Sequence, residues 1–210
     1  MAVTQRPVAR GKQRRREEPS VRRAQILSAA RRCFANAGFK ATTVDHIAAD
    51  AGVSVGLLYR FFVSKTAIVE AIILEQVEAQ LAQAFEIIST SPKSGIDRAM
   101  VLESFEGESL DLQKLALTFE IAAEACRNQD LRTFMQSRRS ELYSVLIDRL
   151  KESGMDPKTA KRMFAEFDLV GALASGAVIQ SLANAKMSVL QNIEAVFRSL
   201  DRGSRKRPAG

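Results

Sequence analysis

The sequence predicts an all-α protein, with an N-terminal three-helix unit of the helix-turn-helix kind followed by a larger helical body. Three observations predict it. Apolar residues recur at three- and four-residue spacing over long runs, residues suited to capping stand at the heads of those runs, and no stretch alternates convincingly as a strand. A chain of 210 residues is long enough to bury a real core. The expected divisions are an arm at 1–19, the three-helix unit at 20–66, the body at 67–202 and a basic tail at 203–210.

Within the first unit, residues 42–65 read TTVDHIAADAGVSVGLLYRFFVSK. Thr42 with Asp45 fits a capping box, in which hydroxyl and carboxylate satisfy backbone donors at a helix start. Val44, Ile47, Ala48 and Ala51 then repeat at helical spacing, and Gly52 can take the left-handed conformation that ends the helix. Ser54 caps a second helix, with Leu58, Phe61 and Phe62 packing inward and Val55, Gly56, Tyr59 and Arg60 free to face outward. That helix is the candidate reader of a DNA major groove, which is wide enough to admit it. Ser64 caps a third helix starting at Lys65, whose N-terminal amides favour a phosphate oxygen. Two helices around a glycine turn are also a common packing unit in proteins that never touch DNA.

From Lys65 to about Ser89 the periodic run continues, packing first on the three-helix unit and then in the body. Ser91-Pro92-Lys93-Ser94-Gly95 breaks it, and helices are expected at about 96–105, 110–127, 130–153, 157–184 and 188–201. Turns fall near Gly107, at Asn128-Gln129-Asp130, at Ser153-Gly154 with Asp156-Pro157, and at 185–188. The longest apolar stretch, Leu169 to Ile179, is interrupted by glycines and reads as a buried helix too short to span a bilayer.

The net charge of +7 is unevenly placed. Residues 1–23 carry eight Lys or Arg against two Glu, and residues 198–210 five against one, whereas residues 76–197 hold 13 basic and 17 acidic groups. A basic arm beside a reader unit suits attraction to the DNA backbone, and Arg10 to Arg16 can reach phosphates or a minor groove. The other reading is a disordered solubilising tail, which applies equally to Gly203–Gly210. No apolar segment follows the basic N-terminus as a signal peptide requires, so a cytoplasmic location is expected.

Little points to catalysis. His46 is the only histidine, and Cys33 and Cys126 lack paired metal-ligand spacing, so no metal and no cofactor is expected. Both cysteines sit on apolar helical patterns and are read as buried thiols. A Gly-rich phosphate loop, a nucleophile elbow and a convincing acid/base pair are all missing, so the chain is not expected to be an enzyme.

Ile26-Leu27, Phe34, Gly38, Thr42-Thr43, Ile47-Ala48, Ala51-Gly52-Val53-Ser54, Leu58-Tyr59, Phe62 and Ser64-Lys65 together resemble the DNA-binding domain of the TetR (TetR/AcrR) family of bacterial transcriptional regulators. The resemblance spans residues 22–65 and implies that Thr42 or Thr43, Tyr59 and Lys65 contact phosphates. It also implies that Ser54, Val55, Gly56, Leu57 and Arg60, with the rest of 54–60, face base edges. Val55 and Leu57 stand where members often carry polar side chains, which leaves hydrogen-bonded readout to Arg60 or Thr43 and thymine methyls to the apolar residues. Phe61 and Val63 replace a frequent His and Pro. For Tyr59 the alternative is a core aromatic with its hydroxyl at the surface.

The resemblance further implies a body that binds a small molecule and pairs with a second copy. Phe105, Phe119, Phe134, Tyr143, Phe164 and Phe167, with Met135 and Met163, lie on helices that in the family surround a ligand pocket, although at helical spacing they equally suit an ordinary core. Glu120, Glu124 and Asp168 interrupt apolar faces, where they cap, pair with Arg127 or Arg162, face water, or meet a ligand. Gly171 and Ser175, among other small residues, let helices approach closely, and with Val178, Leu182, Val196 and Phe197 they form the expected homodimer interface. A tightly packed intrachain core is the alternative. The function implied is a dimeric repressor on a palindromic double-stranded operator, released by a small-molecule inducer and with no membrane partner. An activator, a ligand-independent regulator, or a helical carrier protein without specific DNA binding are the other readings.

Overall fold

A computed structural model describes residues 18–97, 100–101 and 111–183, and among these residues the chain forms seven long or short α-helices and no strand. They are α1 Pro19–Ala41, α2 Val44–Asp50, α3 Val55–Phe61, α4 Lys65–Thr90, α5 Leu112–Arg127, α6 Gln129–Glu152 and α7 Pro157–Ala183. Phe105, Val196 and Phe197, most of the basic arm, the tail, and the helix expected at 188–201 lie outside the described residues, as does most of the one expected at 96–105.

Local chemistry sets the helix starts. Ser54 accepts the Leu57 N–H, Ser64 the Ala67 N–H, Asp111 those of Gln113 and Lys114, and Asn128 that of Leu131. Each bond satisfies a donor that has no partner inside its own helix. At α2 the expectation is corrected by one residue: the cap is Thr43, which accepts from His46, and not Thr42. The bounds of α4 to α7 fall within two residues of those expected.

The hydrophobic interior forms two clusters. In the first, Ile26, Leu27 and Phe34 of α1 meet Ile47 of α2, Leu58 of α3, and Ile68 and Ile72 from the start of α4. Leu117 and Ile121 of α5 and Leu131 of α6 complete it, so the three-helix unit does not close its own core. In the second, Ile87 and Ile88 from the end of α4 pack with Leu146 and Leu150 of α6 and Met163, Phe164 and Phe167 of α7. Burying one such side chain contributes about 1.5–3 kcal/mol, so α4 is anchored strongly at both of its ends. Its buried residues enter both clusters, as do those of α6 through Leu131 and Leu146.

Helix α7 spans the run expected at 157–184. It runs unbroken through Gly171 and Gly176, and its segment Pro157–Gln180 is long and apolar enough to cross a membrane by length and composition. Its buried side, however, is Ala160, Met163, Phe167, Val170, Ala174 and Val178, which face protein.

Candidate nucleic-acid interface

Helices α2 and α3 meet at a turn in which Gly52 takes φ +65° and the Val53 N–H donates to the Ala48 carbonyl at 2.9 Å. Such a positive φ is cheap only for glycine. Leu58 is fully buried and Phe62 nearly so, which locks one side of α3 against the core. Ser54, Gly56, Tyr59 and Arg60 are exposed, and Tyr59 keeps 49% of its surface free. An exposed aromatic on a short helix is not a core residue. Val55 departs from its outward expectation: it is half-buried and packs against the first cluster, because the first turn of α3 lies over the core. Leu57 is also half-buried.

The two threonines separate into different roles. Thr42 is 1% exposed, and its hydroxyl donates toward the Cys33 carbonyl at 3.0 Å and the Gly38 carbonyl at 2.8 Å. It is turned into the protein, whereas Thr43 is exposed at the head of α2. Lys65 is half-buried, and its ammonium donates to the carbonyls of Phe39 at 2.6 Å and Thr42 at 2.9 Å while lying 4.2 Å from the Phe39 ring centre. Burial pushes its pKa below the ordinary lysine value, with the Glu124 charge acting in the other direction. Two of its three N–H donors are therefore committed to the junction between α1 and α2. Arg32 of α1 reaches Asp50 of α2 at 2.7 Å, an exposed pair that adds little to the core packing of these helices.

Sequence reasoning missed how this unit is held to the body. Gly38 has φ 78° and ψ 165°, outside helical geometry, and the carboxylate of Glu120 on α5 lies beside it, accepting the Phe39 N–H at 3.1 Å. The only signal in the sequence was an acidic residue on an apolar helix face. Glu124 pairs with Arg127 at 3.3 Å, as the spacing allows, but Asp168 pairs with Arg139 at 2.7 Å and not with Arg127 or Arg162. On the other side of α1, Arg23 and Arg31 both pair with Glu75 of α4.

Among the described residues, the aromatics expected around a ligand do not converge on one cavity. Phe164 and Phe167 are buried in the second cluster, and Tyr143 lies on Phe164 with ring centres 4.8 Å apart. Phe134 packs against the first cluster instead, and Phe119 is 40% exposed. A cleft of about 470 Å³ opens elsewhere, between α1, α4, α5 and α7, and none of these aromatics lines it. Of the residues expected at a dimer interface, Val178 is only 4% exposed and lines that cleft. Gly171 is half-buried, Ser175 is exposed with its hydroxyl donating to the Gly171 carbonyl, and Leu182 is 58% exposed. With Ala172 and Ile179, Ser175 and Leu182 form an exposed stripe at helical spacing.

Cys33 is half-buried, and desolvation, reinforced by the Asp50 charge, raises its thiol pKa. Cys126 is exposed, contrary to the buried thiol expected, because it lies on the solvent side of the last turn of α5. Among the described residues no group of three His, Cys, Asp or Glu side chains is placed to hold a metal ion.

The sequence profile described as bacterial regulatory proteins, tetR family, matches residues 26–72, which run from α1 into α4. The HTH-type transcriptional regulator UidR of Escherichia coli K12 is 30% identical over 133 residues, covering 62% of this chain and 65% of UidR, just under two thirds of that relative. The HTH-type transcriptional repressor Rv1474c of Mycobacterium tuberculosis is 30% identical over 183 residues, 82% of this chain and 92% of the repressor. The solved structure of Salmonella enterica GusR superposes with a TM-score of 0.60 at 26% identity, covering 87% of this chain and 96% of GusR.

Proposed function

This chain belongs to the TetR family of bacterial regulatory proteins, and we propose that it acts as a dimeric, sequence-specific repressor released from a palindromic operator by a small-molecule inducer. The observation that carries the reading is α3: locked from behind by Leu58 and Phe62, it offers Ser54, Gly56, Tyr59 and Arg60 to solvent on a short rigid helix. Such a helix suits a major groove, with Arg60 supplying hydrogen bonds to base edges and half-buried Val55 and Leu57 supplying at most apolar edges. Tyr59, Thr43 and the remaining N–H of Lys65 then serve phosphates. Thr42 supports them from within and is not itself a contact.

Residues 20–66 act as the reader and residues 67–202 as the sensing and pairing body. Pairing through the stripe of Ala172, Ser175, Ile179 and Leu182 relates two reader helices by a two-fold axis, matching a palindrome with half-sites about one turn apart. Induction is a coupling free energy: a ligand that prefers the released conformation weakens operator binding by the factor by which operator weakens ligand binding. That Rv1474c is named a transcriptional repressor supports repression over activation here.

Fluorescence anisotropy on DNA upstream of the protein's own gene, against scrambled DNA at several salt concentrations, tests the reading. Preference for one palindromic segment that survives near-physiological salt is expected. Equal binding to both DNAs that collapses with salt would leave charge attraction alone and refute it.

A further inference from the structure

We propose that Gly56 is a specificity-determining residue of α3: its missing side chain leaves room for the C5 methyl group of a thymine, so that the helix reads one base pair of each half-site by shape. The proposal rests on the regulatory reading above, since it needs α3 in a major groove.

A glycine inside a helix is destabilising relative to alanine, so it needs some use that alanine would spoil. Four other glycines show that use within the chain: Gly38, Gly52 and Gly154 hold positive φ, and a Cβ on Gly95 would lie 3.2 Å from Oε2 of Glu166. Gly56 shows neither. It is the second residue of α3, its φ is not positive, and a Cβ added to it meets nothing within 4 Å. Gly176 of α7 behaves alike, and it falls four residues after Ala172 and three before Ile179, beside the stripe proposed for pairing with a second copy. Where the fold itself makes no use of a missing side chain, the use lies with what binds that surface.

Gly56 is exposed on the side of α3 away from buried Leu58 and Phe62, and exposed Tyr59 and Arg60 follow it by three and four residues, the spacing of neighbours on a helix surface. The glycine therefore leaves a notch between two long side chains. It carries no side-chain donor or acceptor, and Val55 and Leu57 beside it in the chain are apolar, so these three residues cannot bond a base edge through side chains. The apolar mark that the major groove displays is the C5 methyl group of thymine. A notch with a bare backbone floor admits that methyl, whereas alanine there sets methyl against methyl. Adenine, guanine and cytosine offer hydrogen-bonding groups that no side chain in the notch answers.

Fluorescence anisotropy with the full-length protein and the palindromic duplex selected upstream of its own gene tests the proposal, with thymines replaced by uracil one symmetric pair at a time. Uracil keeps the pairing and hydrogen-bonding edge of thymine and lacks only the methyl. For the wild-type protein one such pair is expected to weaken binding about 10–20-fold, the contribution of two buried methyl groups. Gly56→Ala should melt no lower than wild type by circular dichroism, yet bind the thymine duplex at least about thirtyfold more weakly, as two mismatched base pairs would. The same uracil pair should then restore most of the affinity that Gly56→Ala lost, a reversal that a merely structural role of Gly56 would not produce. Specific binding left unchanged by Gly56→Ala overturns the proposal, as does a loss that no uracil pair restores or one of equal size on scrambled DNA. A lower melting temperature for Gly56→Ala overturns it too, since the fold itself would then need the glycine. A wild-type protein that prefers no DNA sequence overturns the regulatory reading itself, whereas any of the other adverse results with specific wild-type binding intact removes only the role of Gly56.

Discussion

Replacing Gly38 by Ala should destabilise the protein more than any other single-methyl addition at its positive-φ glycines. Gly38 sits at φ 78°, ψ 165°, a region that residues with a Cβ almost never occupy, and forcing Ala into it costs of order 1–3 kcal/mol. The new Cβ would also lie 3.2 Å from Oε2 of Glu120, the oxygen that accepts the Phe39 N–H. If the carboxylate withdraws, a hydrogen bond to a charged group is lost, about 1.5–3 kcal/mol more. The sum of roughly 2.5–6 kcal/mol corresponds to a fall in Tm of about 5–24 °C, since a chain near 200 residues loses about 2–4 °C per kcal/mol. Gly52→Ala is the control, because φ is +65° there but nothing lies within 4 Å of an added Cβ. It should cost only the left-handed backbone penalty, about 1–2 kcal/mol. Thermal melts followed by circular dichroism measure both, and Gly38→Ala with Glu120→Ala separates crowding from backbone strain: the second change should add little further loss. A Gly38→Ala melt equal to or above that of Gly52→Ala would refute the argument.

Thr43→Ala should lose about 1 kcal/mol through the α2 cap and also lose DNA affinity, whereas Thr42→Val should lose about 0.5–1.5 kcal/mol of stability with DNA affinity unchanged once folded; urea melts and anisotropy separate the two. Tyr59→Phe should weaken binding to specific and scrambled DNA by the same factor, and a selective loss on one sequence would contradict a phosphate contact. Because burial raises the Cys33 pKa and Cys126 is exposed, iodoacetamide near pH 8 should modify Cys126 first, and the rate profile of Cys33 should rise only at higher pH than that of a free thiol; mass spectrometry of peptides over a pH series reads both.

What was legible in the sequence was what local chemistry decides. Ser54 and Ser64 are caps because a side-chain oxygen three residues before an unpartnered N–H needs no tertiary context. The buried face of α3 followed from the spacing of Leu58 and Phe62 in the same way. Thr42 and Thr43 could not be told apart, since either can cap and only the packing of α1 gives Thr42 its two buried carbonyl acceptors. Val55 misled because the turn before it, and not helical period, decides how the first turn of α3 lies on the core. Phe164 and Phe167 show the limit of residue type: an aromatic at helical spacing serves a cavity or a core equally well, and here the second cluster takes them. Glu120 and Glu75 were out of reach, since each acts on a residue of α1 that lies tens of positions away in the chain.

Those two carboxylates bracket α1, and their positions bear on how a body could govern a reader. Glu120 of α5 holds the Phe39 N–H, the neighbouring Phe39 and Thr42 carbonyls take Lys65 of α4, and the Thr42 hydroxyl returns to Cys33 and Gly38. The end of α1 and the residue that follows it are thus bonded to both α4 and α5. Glu75 grips α1 farther back, near Arg23 and Arg31, from the first half of α4. A shift of α5 relative to α4 strains these grips and the lysine bonds together, and α2 and α3 move with α1 because the first core cluster packs all three helices together. Coupling of this kind needs no long relay of side chains. It needs a ligand that binds one spacing of α4 and α5 better than another, which is the differential affinity on which any induced release depends.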